Sequence, residues 1–259
     1  MVFQLPEECK KYGFSTEGSG VHSSRTIMTR ELETLLSSTP KATCIDDYLT
    51  AIIDENVLLK KTTITRKESF TRLKTLYSLD PNRIIFRALQ DLWVIAPNSQ
   101  PLLALLCAIS RDKFLRSSTS IILKTPIGEC INSSEFEKHI QIELPNFAQK
   151  TIETMSRNIS SSWTQSGHLE GRSEKTRKQV IPTPPVVAYA LLLGYLCGAR
   201  GEGLFESPWV KILDTNVFTL YNLTIVAAQN GWLDYRKSGS VTDVSFSYLL
   251  RDTQENNHE

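Results

Sequence analysis

"FAQKTIETMSRNISSSWTQSGHLEGRSEKTRKQVI", residues 147–181, changes character twice. Ile152, Met155, Ile159 and Trp163 recur at three- and four-residue steps, which predicts an amphipathic helix over 147–165. The opposite face carries Gln149, Lys150, Glu153, Arg157 and Asn158. Past Gly167 the period breaks, and "HLEGRSEKTRKQVI" predicts two short strands around a charged turn. Upstream, "SEFEKHIQIEL" predicts another helix, with Ser134 and Glu137 at capping-box spacing and Pro145-Asn146 as its stop.

Helix, short break, helix and charged ribbon is the order of a winged helix-turn-helix, in which the second helix enters a DNA groove and the ribbon follows the backbone. Lys150, Arg157, Arg172, Lys175, Arg177 and Lys178 stand against Glu153, Glu170 and Glu174, six cations to three acids and a local net of +3. Lys and Arg gain by releasing counterions from phosphates, and amide side chains reach base edges. Gln149, Asn158 and Gln165 are the candidate base readers, and His168 is a candidate phosphate contact. Trp163 lies on the apolar stripe and reads as core, not as a base-stacking platform. The same ribbon equally suits a wing that grips protein.

Outward from this stretch, residues 27–120 read as an N-terminal helical domain. "TRELETLLSS", "CIDDYLTAIIDEN" and "TITRKESFTRLKTLYSL" each carry helical periodicity, the last with Thr65 and Glu68 at capping-box spacing. Its region holds Lys60, Lys61, Arg66, Lys67, Arg72 and Lys74 against Glu68, a local net of +5. It is expected to form a basic helix-turn-helix and a second phosphate-contacting surface, although charged helix faces are commonly only solvated. "PNRIIFRALQDLWVIA" and the central "QPLLALLCAISRDKFLRSS" follow, each with Pro near its first turn. "IILKTPIGECI" predicts a short strand and turn.

Residues 121–250 read as a winged-helix-like C-terminal region, with the wing at about 168–181. A second hairpin is predicted at about 232–250, its turn carrying Arg236 and Lys237, after a helix stopped by Gly231. Residues 1–26, with glycines among Ser, Thr and charges and no visible period, are expected to be a flexible arm, and 251–259 a polar tail. The fold class is mostly α, a helical bundle with helix-turn-helix and winged-helix units and small β-hairpins.

Bulk properties set limits. The 259 residues are 41% hydrophobic and 22% charged with a formal charge of +1, so polyanion binding must come from local patches. The most apolar run, 184–199, leaves about 14 residues after Pro185, short of the ~20 that span a bilayer, and predicts a buried helix. Five scattered Cys and an N-terminus lacking an apolar leader point to reduced thiols in the cytoplasm. No phosphate loop, HExxH helix or nucleophile elbow is present, and the acids Asp46, Asp47, Asp54 and Glu55 read as a solvated face. No catalytic site, cofactor or metal is expected.

Three stretches resemble a known family: "TITRKESFTRLKTLY", "FRALQDLWVIAPNSQPLLALLCAISRD" and "ISSSWTQSGHLEGRSEKTR" are similar to the BrxA-type proteins of bacterial bacteriophage-exclusion (BREX) defence systems. The resemblance covers most of residues 27–215. It implies a small, mostly helical protein with helix-turn-helix and winged-helix parts that binds double-stranded DNA without catalysis, alongside other proteins of the defence system and no membrane. The alternative is an adaptor or scaffold of the same complex. A dimeric transcription regulator would need a palindromic site, and no long heptad seam is visible. Against shorter members, the opening arm and the hairpin after residue 215 are additions.

Overall fold

The computed structural model describes residues 3–239 and 241–251. Among these the chain forms twelve helices and two small antiparallel sheets. Three helices come first: α1 (Thr29–Ser38), α2 (Ile45–Ile53) and α3 (Thr63–Tyr77). They bury Leu32 and Leu35, then Tyr48 and Ile52, then Leu73, Leu76 and Tyr77. The start of α3 differs from the expected Thr65–Glu68 box. Thr62 caps it, its hydroxyl accepting from the Thr65 amide at 3.2 Å, while Glu68 pairs with Arg72 at 2.9 Å. Two Thr three residues apart satisfy the same orphan amides one turn earlier.

Next come α4 (Ile84–Ile95), α5 (Gln100–Arg111) and α6 (Lys113–Lys124). Helix α5 is buried along nearly its whole length, from Leu102 to Ser110, and packs on α3, α4 and α6. Residues 121–124, expected in a strand, extend α6 instead, because burying Ile122 against the core outweighs their β-branched preference. The expected domain boundary after residue 120 therefore falls inside a helix.

Strand β1 (Cys130–Ile131), α7 (Ser133–Glu143), α8 (Gln149–Gln165), β2 (Leu169–Glu170) and β3 (Lys175–Arg177) follow. Asn132 and Glu135, not Ser134 and Glu137, form the capping box of α7. The three strands pair antiparallel in the order β1-β3-β2, with Cys130 opposite Thr176 and Leu169 opposite Arg177. Gly171 turns the chain between β2 and β3 at φ +105°, and a Cβ there would lie 2.1 Å from the Glu174 carbonyl oxygen.

Residues 184–196 form the buried helix α9 (Pro184–Leu196), which packs on α4 and α5. The short helices α10 (Glu202–Phe205) and α11 (Pro208–Lys211) lead to α12 (Val217–Gln229), with Gly231 beyond its end at φ +74°. Strands β4 (Asp234–Ser238) and β5 (Val241–Ser245) make the last hairpin. Among the described residues, no helix is long and apolar enough to cross a membrane.

The expectation of a flexible arm over 1–26 is corrected from Phe3 onward. Cys9, Phe14, Val21 and His22 are buried, and Phe3 and Phe14 set their rings edge-on to Trp209. The Ser15 amide donates to the Ser110 carbonyl at 3.0 Å, and Arg83 reaches the Lys11 carbonyl at 3.2 Å. Gly13 and Gly20 turn the chain at φ +107° and +67°, while Gly18 lies close against the Phe114 ring. The expected polar tail lies outside the described residues except for Arg251, which grips Asp91 at 2.7 and 3.0 Å.

A candidate nucleic-acid interface

Helix α8 buries Ile152, Met155, Ile159 and Trp163, the stripe its periodicity predicts. Trp163 is fully enclosed, its indole N–H donating to Ser118 Oγ at 2.8 Å, so it is a core residue. The N-terminal half of the helix keeps Gln149, Lys150, Glu153 and Arg157 in solvent. Lys150 has no ion pair among the described residues, Gln149 turns its amide to Glu153 at 3.3 Å, and Arg157 makes a long contact to Thr154 at 3.4 Å.

The C-terminal half is covered by the segment that leads into α1. Asn158 donates to the His22 carbonyl at 2.8 Å, and Gln165 donates to Thr26 at 2.8 Å and accepts from Thr29 at 3.2 Å. Ser162 Oγ accepts from the Ile27 amide at 3.0 Å and lies 3.1 Å from His22 Nε2. Two of the three expected base readers, Asn158 and Gln165, are thus committed inside the protein. A correction of the same kind applies to His168, which is fully buried. Its Nε2 bonds the Ile212 carbonyl and its Nδ1 the Ser166 hydroxyl, both at 2.8 Å. Burial drives the imidazole down to about 4, so it carries no charge for a phosphate at neutral pH.

The β2–β3 ribbon divides its cations. Arg177 faces inward, pairing with Asp214 at 2.5 Å and donating to the Ile122 carbonyl at 3.1 Å, and is corrected from phosphate contact to core pin. The reason is alternation: in a short strand, successive side chains take opposite faces, and Arg177 falls on the inner one. Lys175 is half-buried, donating to Thr164 Oγ1 at 3.0 Å and the Gly171 carbonyl at 2.8 Å, and burial lowers its pKa. Lys178 is exposed beside Glu170 at 3.0 Å, a pair water largely screens. Arg172 is exposed at the turn with no ion pair among the described residues.

The cations around α3 divide similarly. Lys60 pairs with Glu31 at 3.1 Å, Arg66 donates to the Ile53 carbonyl at 2.9 Å, and Arg72 pairs with Glu68. Lys61, Lys67 and Lys74 remain exposed without an ion pair among the described residues. In the last hairpin Lys237 is held by Glu202 at 3.1 Å and lies over the Tyr221 ring. Two cations escaped the sequence reading. Arg25 and Arg30 are exposed, and Arg25 falls between His22 and Thr26, both bonded to α8. Their signal was present as charge, but only the docking of this segment places Arg25 beside α8.

Among the described residues, no group of His, Cys, Asp and Glu could hold a metal ion. Compared with known protein families and with curated proteins, the chain matches none.

Proposed function

We propose that this protein binds double-stranded DNA, without acting on it chemically, through a winged helix-turn-helix formed by residues 113–177. The observation that carries the reading is topological. Helix α6, β1, α7, α8, β2 and β3 follow in that order, and the strands pair β1-β3-β2, which is the plan of a winged helix. In this reading α8 is the recognition helix, supported by Lys150 and Arg157 lying in solvent, and β2–β3 is the wing, with Arg172 and Lys178 exposed on it. Helices α1 to α3 supply a second, smaller three-helix unit whose last helix bears Lys61, Lys67 and Lys74. With Gln149 alone of the three expected base readers in solvent, and its amide turned to Glu153, phosphate contacts dominate and sequence preference is low. The resemblance of the quoted stretches to BrxA-type proteins supports a place in a bacterial anti-phage defence assembly.

A mobility-shift titration at two salt concentrations tests the reading. Affinity is expected to fall with salt, and the variant K150E/R157E to lose most of it while melting at the wild-type temperature. Binding that ignores both salt and these charges overturns the proposal.

One observation favours the adaptor reading. Helix α12 leaves Val217, Phe218 and Ile225 exposed at 63%, 76% and 43%, an apolar face suited to a protein partner. Association with other defence proteins that survives nuclease treatment and is lost in Phe218→Asp would support it.

A further inference from the structure

A cavity of about 680 Å³ lies between the segment around Phe3–Glu7, α6, α7 and α11. Its size falls within the ~300–1,000 Å³ typical of small-molecule sites. Arg116 lines it and is only 4% exposed, yet it forms no ion pair among the described residues. One hydrogen bond, from Nη1 to the Ile109 carbonyl at 2.8 Å, uses part of a guanidinium that carries five N–H donors. Burial lowers its pKa to about 10, and the nearby Asp112 carboxylate offsets this only in part.

Both carboxylates at the cavity are already engaged: Glu7 with Lys10 at 2.6 Å and Glu143 with Lys113 at 2.8 Å. Lys124 and Lys211, also at the rim, have no ion pair among the described residues. The site therefore offers three cations without an ion pair among the described residues, one of them buried. Uncompensated buried charge is costly, and an anion that enters removes the cost. Opposite in character are Phe3, Leu5 and Leu123, which add apolar lining. His139 adds a buried Nε2 with no hydrogen-bond partner among the described residues.

We infer that this cavity binds a small phosphorylated ligand bearing a planar base, of the mononucleotide class, with its phosphates on Arg116, Lys124 and Lys211 and its base on the Phe3 side. Guanidinium forks suit phosphate oxygens in pairs, ammonium groups add point charge, and an aromatic ring accepts any base face. The site is separate from the duplex-binding reading and does not depend on it.

Calorimetric titration of the full chain with ATP, and separately with inorganic phosphate, tests the inference. ATP is expected to bind the wild type and the duplex-binding variant K150E/R157E equally. Affinity should drop by about tenfold or more in K124E/K211E, whose replaced side chains are exposed and leave folding intact. Arg116→Met should lose binding as well, but its burial makes folding a concern, so the rim variant carries the decision. No heat with millimolar ATP, or binding indifferent to K124E/K211E, overturns the site. Phosphate binding as tightly as ATP overturns the nucleotide assignment.

Discussion

Arg177 and Asp214 form an ion pair of 2.5 Å between side chains 2% and 9% exposed, joining β3 to the loop before α12. The same guanidinium reaches the Ile122 carbonyl in α6 and the His168 carbonyl before β2, at 3.1 and 3.3 Å. Removing it strands a buried carboxylate. Arg177→Met is expected to cost about 3–5 kcal/mol of stability, whereas Arg172→Ala at the exposed turn should change it by less than about 0.5 kcal/mol. Thermal or urea melts of the two variants check this. Equal melting would mean that Arg177 does not pin the fold.

Acidification should weaken the protein through His168. Burial holds its folded pKa near 4, below the ~6.5 of an unfolded chain. Between those values the unfolded state binds more protons, so the contribution is complete above about pH 6.5 and is lost progressively down to about pH 4. The loss amounts to at most about 3 kcal/mol. In His168→Gln the stability profile over that window should be flatter than in the wild type. An unchanged slope would assign it to other groups.

Asp112 governs a more acidic range. It caps α6 by accepting from the Phe114 and Leu115 amides at 2.8 and 3.0 Å, and it accepts from His22 at 2.9 Å. Burial alone would raise its carboxyl; the His22 charge and these hydrogen bonds outweigh it and bring the group to about 2. Its contribution is therefore present above about pH 4 and lost as pH falls through about 2. Asp112→Ala should cost about 3–5 kcal/mol near neutrality and free residues 15–29 for amide exchange. Retained protection in that segment would contradict the role.

The β2–β3 turn depends on Gly171. Its φ of +105° and the 2.1 Å approach of the Glu174 carbonyl leave no room for a methyl group. Gly171→Ala is expected to cost about 1–3 kcal/mol and to speed amide exchange in β3. Wild-type exchange at Thr176 would show that the turn tolerates the change.

In the proposed binding mode, the exposed Lys61, Lys67 and Lys74 would add a second phosphate-contacting surface. Reversing all three should weaken duplex binding and reduce the salt slope by up to about 3. A slope equal to that of the wild type would confine the contacts to α8 and the wing.

The helices and the ribbon were legible because their signals are local. The stripe Ile152, Met155, Ile159 and Trp163 needs only period, and the buried α9 needs only an apolar run of limited length. Site residues were less legible, because charge and exposure are different properties. Arg177 and Arg172 look alike in the sequence, and one faces Asp214, 37 residues away, while the other faces water. The arm misled for a related reason. Its anchors, Cys9, Phe14 and His22, are spaced too irregularly for any period, and their partners Leu196, Trp209 and Asp112 are distant in sequence.

Ile27 takes both of its backbone bonds from different helices: its carbonyl accepts from Tyr77 at the end of α3, and its amide donates to Ser162 of α8. One residue thereby ties the two helices together through its backbone, which restricts their rotation against each other. A stiff polymer laid across both would have to take its curvature from the protein, so any bending energy would fall on the polymer and would depend on how readily its sequence flexes.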